Sequence, residues 1–81
     1  MKSFGSEDLI KCLVCLGFTK EPSTGSSHIK YKCPKKVARG TRPFITVILK
    51  VKSYDKTTQG RYLTQIKRLG YTKEEISQCM D

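Results

Sequence analysis

Ser27-His28-Ile29-Lys30-Tyr31-Lys32-Cys33 alternates at every step. Ile29, Tyr31 and Cys33 fall on one side; His28, Lys30 and Lys32 fall on the other. That is the period of a strand with one face on a core and one on solvent. A basic loop over residues 34–42, containing Gly40, separates it from Phe44-Ile45-Thr46-Val47-Ile48-Leu49-Lys50-Val51, the stretch richest in β-branched residues. One side of this second run is Ile45, Val47, Leu49 and Val51. The other, with Phe44, Thr46 and Ile48, is also largely apolar, which predicts a strand central in its sheet or covered on both faces. Upstream, residues 18–21 read as a short strand and Pro22-Ser23-Thr24-Gly25 as a turn.

Helices flank these strands. Ser6 is placed to cap a helix whose first turn carries Glu7 and Asp8, the sign favoured at that end. Leu9, Ile10, Leu13 and Leu16 recur on one stripe, and Gly17 is the stop. Thr57 or Thr58 opens a second helix that runs through Leu69. Its buried side is Tyr62, Ile66 and Leu69, with Leu63 beside them, and Arg61, Thr64, Gln65 and Arg68 share the opposite side. Gly70 ends it. Thr72-Lys73-Glu74-Glu75 is a capping box for a short terminal helix with Ile76 and Cys79. The order αβββα plus a short helix predicts an α+β fold over residues 1–81. It is a single domain: a three-stranded antiparallel sheet with both long helices on one face.

Eighty-one residues, 37% of them hydrophobic, suffice for one modest core. No apolar run approaches the length of a membrane span, and the first eight residues lack the apolar segment of a signal peptide. A cytoplasmic chain with no membrane partner is expected. The net charge is +9, and between Glu21 and Asp55 there are eight bases and no acid. A field of that kind favours phosphate backbones, with an acidic protein surface as the alternative. No basic amphipathic helix lies in the stretch to suit a lipid surface.

The four cysteines are Cys12, Cys15, Cys33 and Cys79. Zinc is usually delivered by two short knuckles, and only Cys12 and Cys15 are close, inside a helix, so no metal site is expected. Cys12 and Cys33 lie where a buried thiol serves as a small apolar residue, as does Cys79. A cytoplasmic chain predicts reduced thiols, with Cys15 accessible on the polar side of its helix.

His28 is the only histidine. An imidazole exchanges a proton near neutral pH, and lysines beside it hold a polyanion. RNA can be cut without metal by activating its own 2′-hydroxyl against the adjacent phosphate, which needs a proton acceptor, a proton donor and a cation. His28 can be either proton carrier. Tyr54 is the candidate for the second.

Three stretches carry a family resemblance: the amphipathic helix running into Gly17-Phe18; Gly25-Ser26-Ser27-His28; and Gly60-Arg61-Tyr62-Leu63-Thr64-Gln65-Ile66-Lys67-Arg68-Leu69-Gly70-Tyr71. In order and spacing the chain resembles the HicA toxins, the RNA-cleaving component of HicA–HicB toxin–antitoxin pairs. Gly25-Ser26-Ser27-His28 is similar to the family's glycine-serine-x-histidine motif. Val51-Lys52-Ser53-Tyr54-Asp55 lacks the proline and second histidine common there in the family. The resemblance implies a double-stranded-RNA-binding-domain-like fold and a metal-independent mRNA endonuclease without cofactor. It also implies a HicB-like antitoxin partner and His28 as the catalytic residue. The residues expected to hold RNA are Gly25, Ser26, Ser27, Lys30, Lys32, Lys35, Lys36, Arg39, Arg42, Arg61 and Arg68. Two alternatives share this fold: an RNA-binding module that does not cut, and a basic protein that docks an acidic partner.

Overall fold

The computed structural model describes residues 3–22, 27–37 and 39–80. The elements run α1 (Ser6–Cys15), β1 (Thr19–Lys20), β2 (His28–Lys32), β3 (Phe44–Ile48), α2 (Lys56–Arg68) and α3 (Lys73–Met80). The strands form one antiparallel sheet in the order β1-β2-β3. The α+β class and the single sheet agree with the sequence reading.

The register puts Ile29 opposite Val47 and Tyr31 opposite Ile45, on the inner face. Ile45 and Val47 have no exposed surface, and Tyr31 is buried. Leu9, Cys12 and Leu13 of α1, Tyr62 and Ile66 of α2, and Ile76 of α3 join them in one core. His28 pairs with Ile48, Lys30 with Thr46 and Lys32 with Phe44 on the outer face.

The central strand is β2, not β3. Antiparallel pairing turns the backbone groups of Thr46 and Ile48 away from β2. Tyr62 Oη donates to the Thr46 carbonyl at 2.9 Å and accepts from the Ile48 amide at 3.0 Å. Tyr54 Oη donates to the Ile48 carbonyl at 2.5 Å. Two tyrosines thus do for the β3 edge what a fourth strand would do. Because it needs that cover, the strand carries apolar residues on both sides, and so it reads in sequence as central. It is also shorter than its apolar run, ending before Lys50, which has φ 60°.

The N-caps of α1 and α2 lie one or more residues before their expected positions. Gly5, not Ser6, is the N-cap of α1, and its amide donates to Asp8 at 3.3 Å. Ser6 Oγ instead donates to the Val51 carbonyl and accepts from the Val51 amide, tying α1 to the connector after β3. A side chain on Gly5 would fall 2.0 Å from the Lys52 carbonyl oxygen, so only glycine permits that approach. Asp55 caps α2, accepting from the Thr58 amide at 3.1 Å. The Thr72–Glu75 capping box forms as expected. So does the stop at Gly17, where Gly17 (φ 95°) and Phe18 donate to the Val14 and Leu13 carbonyls in a Schellman turn.

The cysteine expectation is corrected in one respect. Cys12 and Cys33 are buried free thiols, but Cys15 and Cys79 form a disulfide with their Cα atoms 5.6 Å apart. Cys12 Sγ donates to the Ile76 carbonyl, so α1 and α3 meet at 12 against 76 and at 15 against 79. Both pairs are 64 residues apart, which means the two helices run parallel. Among the described residues, no helix is long and apolar enough to cross a membrane.

Candidate nucleic-acid interface

The covered edge of β3 borders a groove. α2 lies beside the strand, and between them is a cleft of about 620 Å³. His28, Phe44, Thr46 and Ile48 line it from the outer face of the sheet. Thr58, Arg61, Tyr62, Gln65 and Arg68 of α2 and its C-cap Leu69 line it from the helix side, and Gly40, Thr41 and Arg42 from the loop before β3. The i, i+4, i+7 spacing of Arg61, Gln65 and Arg68 puts all three on one side of the helix. Tyr62 fixes which side that is, since its hydroxyl is held on the strand edge and its neighbours must flank the cleft.

His28 is the first residue of β2, with an exposed side chain. Ser27 Oγ lies 3.2 Å from its Nδ1, a contact that orients the ring. Lys30 lies over the Phe44 ring at 4.7 Å from the centroid, holding its ammonium beside the groove wall. Lys32 is exposed on the same outer face.

Of the residues expected at the site, the fold thus brings His28, Arg42, Arg61 and Arg68 to one groove. Ser27 is adjacent, and Lys30 and Lys32 are on the flanking face. Lys35 is engaged elsewhere: its Nζ donates to the Gly70 carbonyl at 3.0 Å and sits 4.0 Å from the centre of the Tyr71 ring. Lys36 and Arg39 are exposed but outside the groove lining. Gly25 and Ser26 lie outside the described residues.

Tyr54 is not placed for proton transfer. It is buried, its hydroxyl is held by the Ile48 carbonyl, and burial pushes its pKa above the ordinary tyrosine value, with Tyr62 adding to the effect. Sequence reasoning did not find the groove's neutral polar lining of Thr41, Thr46, Thr58 and Gln65. Only the exposed-side spacing of Gln65 with Arg61 and Arg68 signalled any of it. Among the described residues, no carboxylate lines the cleft. Asp55 is held at the N-cap of α2, where hydrogen bonds from Thr58 chiefly lower its pKa and Arg61 adds to the effect.

Comparison with protein-family models, with curated proteins and with solved structures finds no match to this chain.

Proposed function

We propose that the groove between β3 and α2 binds RNA and that His28 promotes its cleavage, so that the chain acts as a HicA-like mRNA endonuclease. The observation that carries this reading is the convergence of His28 with Arg42, Arg61 and Arg68 in one cleft that no carboxylate lines among the described residues. The order αβββα, extended by α3, fits a variant of the double-stranded-RNA-binding domain.

The chemistry follows from the lining. Arginines hold phosphate oxygens through paired N–H donors and cannot be neutralised at ordinary pH. His28 takes the proton of a 2′-hydroxyl, and that oxygen attacks the adjacent phosphorus. The P–O5′ bond breaks, leaving a 2′,3′-cyclic phosphate and a 5′-hydroxyl end that takes its proton from solvent or from the imidazolium. The arginines offset the charge that builds on the phosphorane. A HicB-like antitoxin would inhibit by laying acidic side chains over the same groove.

One specific observation favours the second reading, RNA binding without cleavage: the hydroxyl of Tyr62, the tyrosine that lines the groove, and that of the buried Tyr54 are both engaged by the β3 backbone. A single experiment separates the two. His28→Ala should cut RNA about a hundred- to ten-thousandfold more slowly than the parent, the usual loss for an acid–base residue. Its circular dichroism and RNA affinity should be unchanged. Equal cleavage by the two proteins removes the catalytic assignment, and absence of cleavage by the parent itself, with RNA binding retained, selects the second reading.

A further inference from the structure

Gly60 has no reason of its own to be glycine. It lies inside α2, where glycine costs about 1 kcal/mol relative to alanine. Among the described residues the glycines with left-handed backbone are Gly17, Gly40 and Gly70, and Gly60 is not one of them. A Cβ built on it meets nothing within 4 Å, whereas one on Gly5 would collide with the chain. Neither backbone conformation nor packing within this molecule calls for a bare position there.

Its surroundings supply a reason. Gly60 lies in a second, shallower depression of about 440 Å³, together with Thr57, Arg61, Thr64, Gln65 and Arg68. Arg61, Gln65 and Arg68 belong also to the groove beside His28. The two depressions are therefore one surface running over α2, with the arginine row as its ridge. No acid lines either side among the described residues, and α2 itself carries Lys56, Arg61, Lys67 and Arg68 and no acid. On one side the floor is a strand; on the other it is bare helix backbone.

From this juxtaposition we propose that Gly60 is a close-approach site. The ribose-phosphate backbone of the bound RNA crosses α2 there, resting on the helix where a side chain is missing. Arg61 and Arg68 hold its phosphates, and the hydroxyls of Thr57 and Thr64 meet its sugar oxygens. The inference rests on the RNA reading of the groove and extends it. The RNA footprint continues over the far side of α2, and Gly60 is a positioning residue for it, outside the chemistry.

The proposal makes two predictions of opposite sign for one residue. Gly60→Ala should raise the melting temperature by about 3–6 °C, because a good helix former replaces glycine at an open position. Gly60→Leu should also fold at least as stably as the parent, yet bind RNA about tenfold more weakly, since its bulk is forced into a close contact. Binding is read by fluorescence anisotropy with a labelled RNA oligonucleotide, in the His28→Ala background so that the probe stays intact. Gln78→Leu, an exposed change on α3, is the control and should leave affinity unaltered. If the background protein binds no RNA, the functional reading itself fails. If it binds and Gly60→Leu binds equally tightly, or if Gln78→Leu weakens binding as much, the close-approach site is overturned.

Discussion

Tyr62 joins the fold to the groove through a single oxygen. Its hydroxyl pairs two backbone groups of the β3 edge, and its ring packs at 5.1 Å from that of Tyr54. Tyr62→Phe keeps the ring and removes the oxygen, leaving the Thr46 carbonyl and the Ile48 amide without that partner in a half-buried setting. Such a loss is expected to cost about 1–3 kcal/mol. The urea midpoint should fall while the slope of the transition stays constant, because the surface exposed on unfolding is the same. An unchanged midpoint would mean that water replaces the hydroxyl and that the edge is not sealed. The residues that hold a phosphate are a separate set, so a Tyr62→Phe protein that remains folded should still bind RNA.

At the scale of elements, the disulfide determines how α3 is held. Cys15 and Cys79 close a loop with a sequence separation of 64, and chain-entropy arguments put the stabilisation from such a link at about 4 kcal/mol. Cys12, one turn before Cys15, is not a ready exchange partner, because burial pushes its thiol pKa up to about 11 and keeps it protonated at neutral pH. Denatured without reductant, the protein should therefore take up alkylating reagent at two cysteines, and with reductant at all four, as read by intact mass. The reduced form should melt at least about 10 °C lower. Four reactive thiols before reduction would refute the link. The sequence could not disclose this bond, because residues 15 and 79 meet only through parallel docking of α1 on α3, and no local pattern encodes that. By contrast, the alternation of residues 27–33, the Gly17 stop and the Thr72–Glu75 box are local signals, and all three formed where the sequence placed them. The long apolar run of β3 misled because a helix-covered edge and a central strand call for the same residues. The candidate site divides in the same way. His28 and the Arg61–Arg68 side of α2 were legible one at a time; that they face a common groove depends on the tyrosine bonds that set α2 along β3.

Over the whole molecule, charge is segregated by the helices themselves. Glu7 and Asp8 lie in the first turn of α1, Glu74 and Glu75 in the first turn of α3, and Asp55 caps α2. Five of the seven acids thus sit at helix N-termini, where the macrodipole favours them. The sheet's outer face and the exposed side of α2 are left with a surplus of cations, Lys30 and Lys32 on the one and Arg61 and Arg68 on the other. That arrangement has a measurable signature. Each phosphate that a cation neutralises releases condensed counterions, so the logarithm of affinity falls linearly with the logarithm of salt concentration. Three groove arginines acting on a single strand should give a slope of about −2 or steeper. Arg61→Ala should reduce the magnitude of that slope by about 1 and weaken binding similarly for unrelated sequences, as expected of a phosphate contact. Titrations of one RNA oligonucleotide at four salt concentrations, with the parent and with Arg61→Ala, measure both quantities. A flat response in the parent would exclude the groove as a polyanion site, and a steep slope left intact by Arg61→Ala would move the phosphate contacts off α2 and onto the lysines of the sheet face.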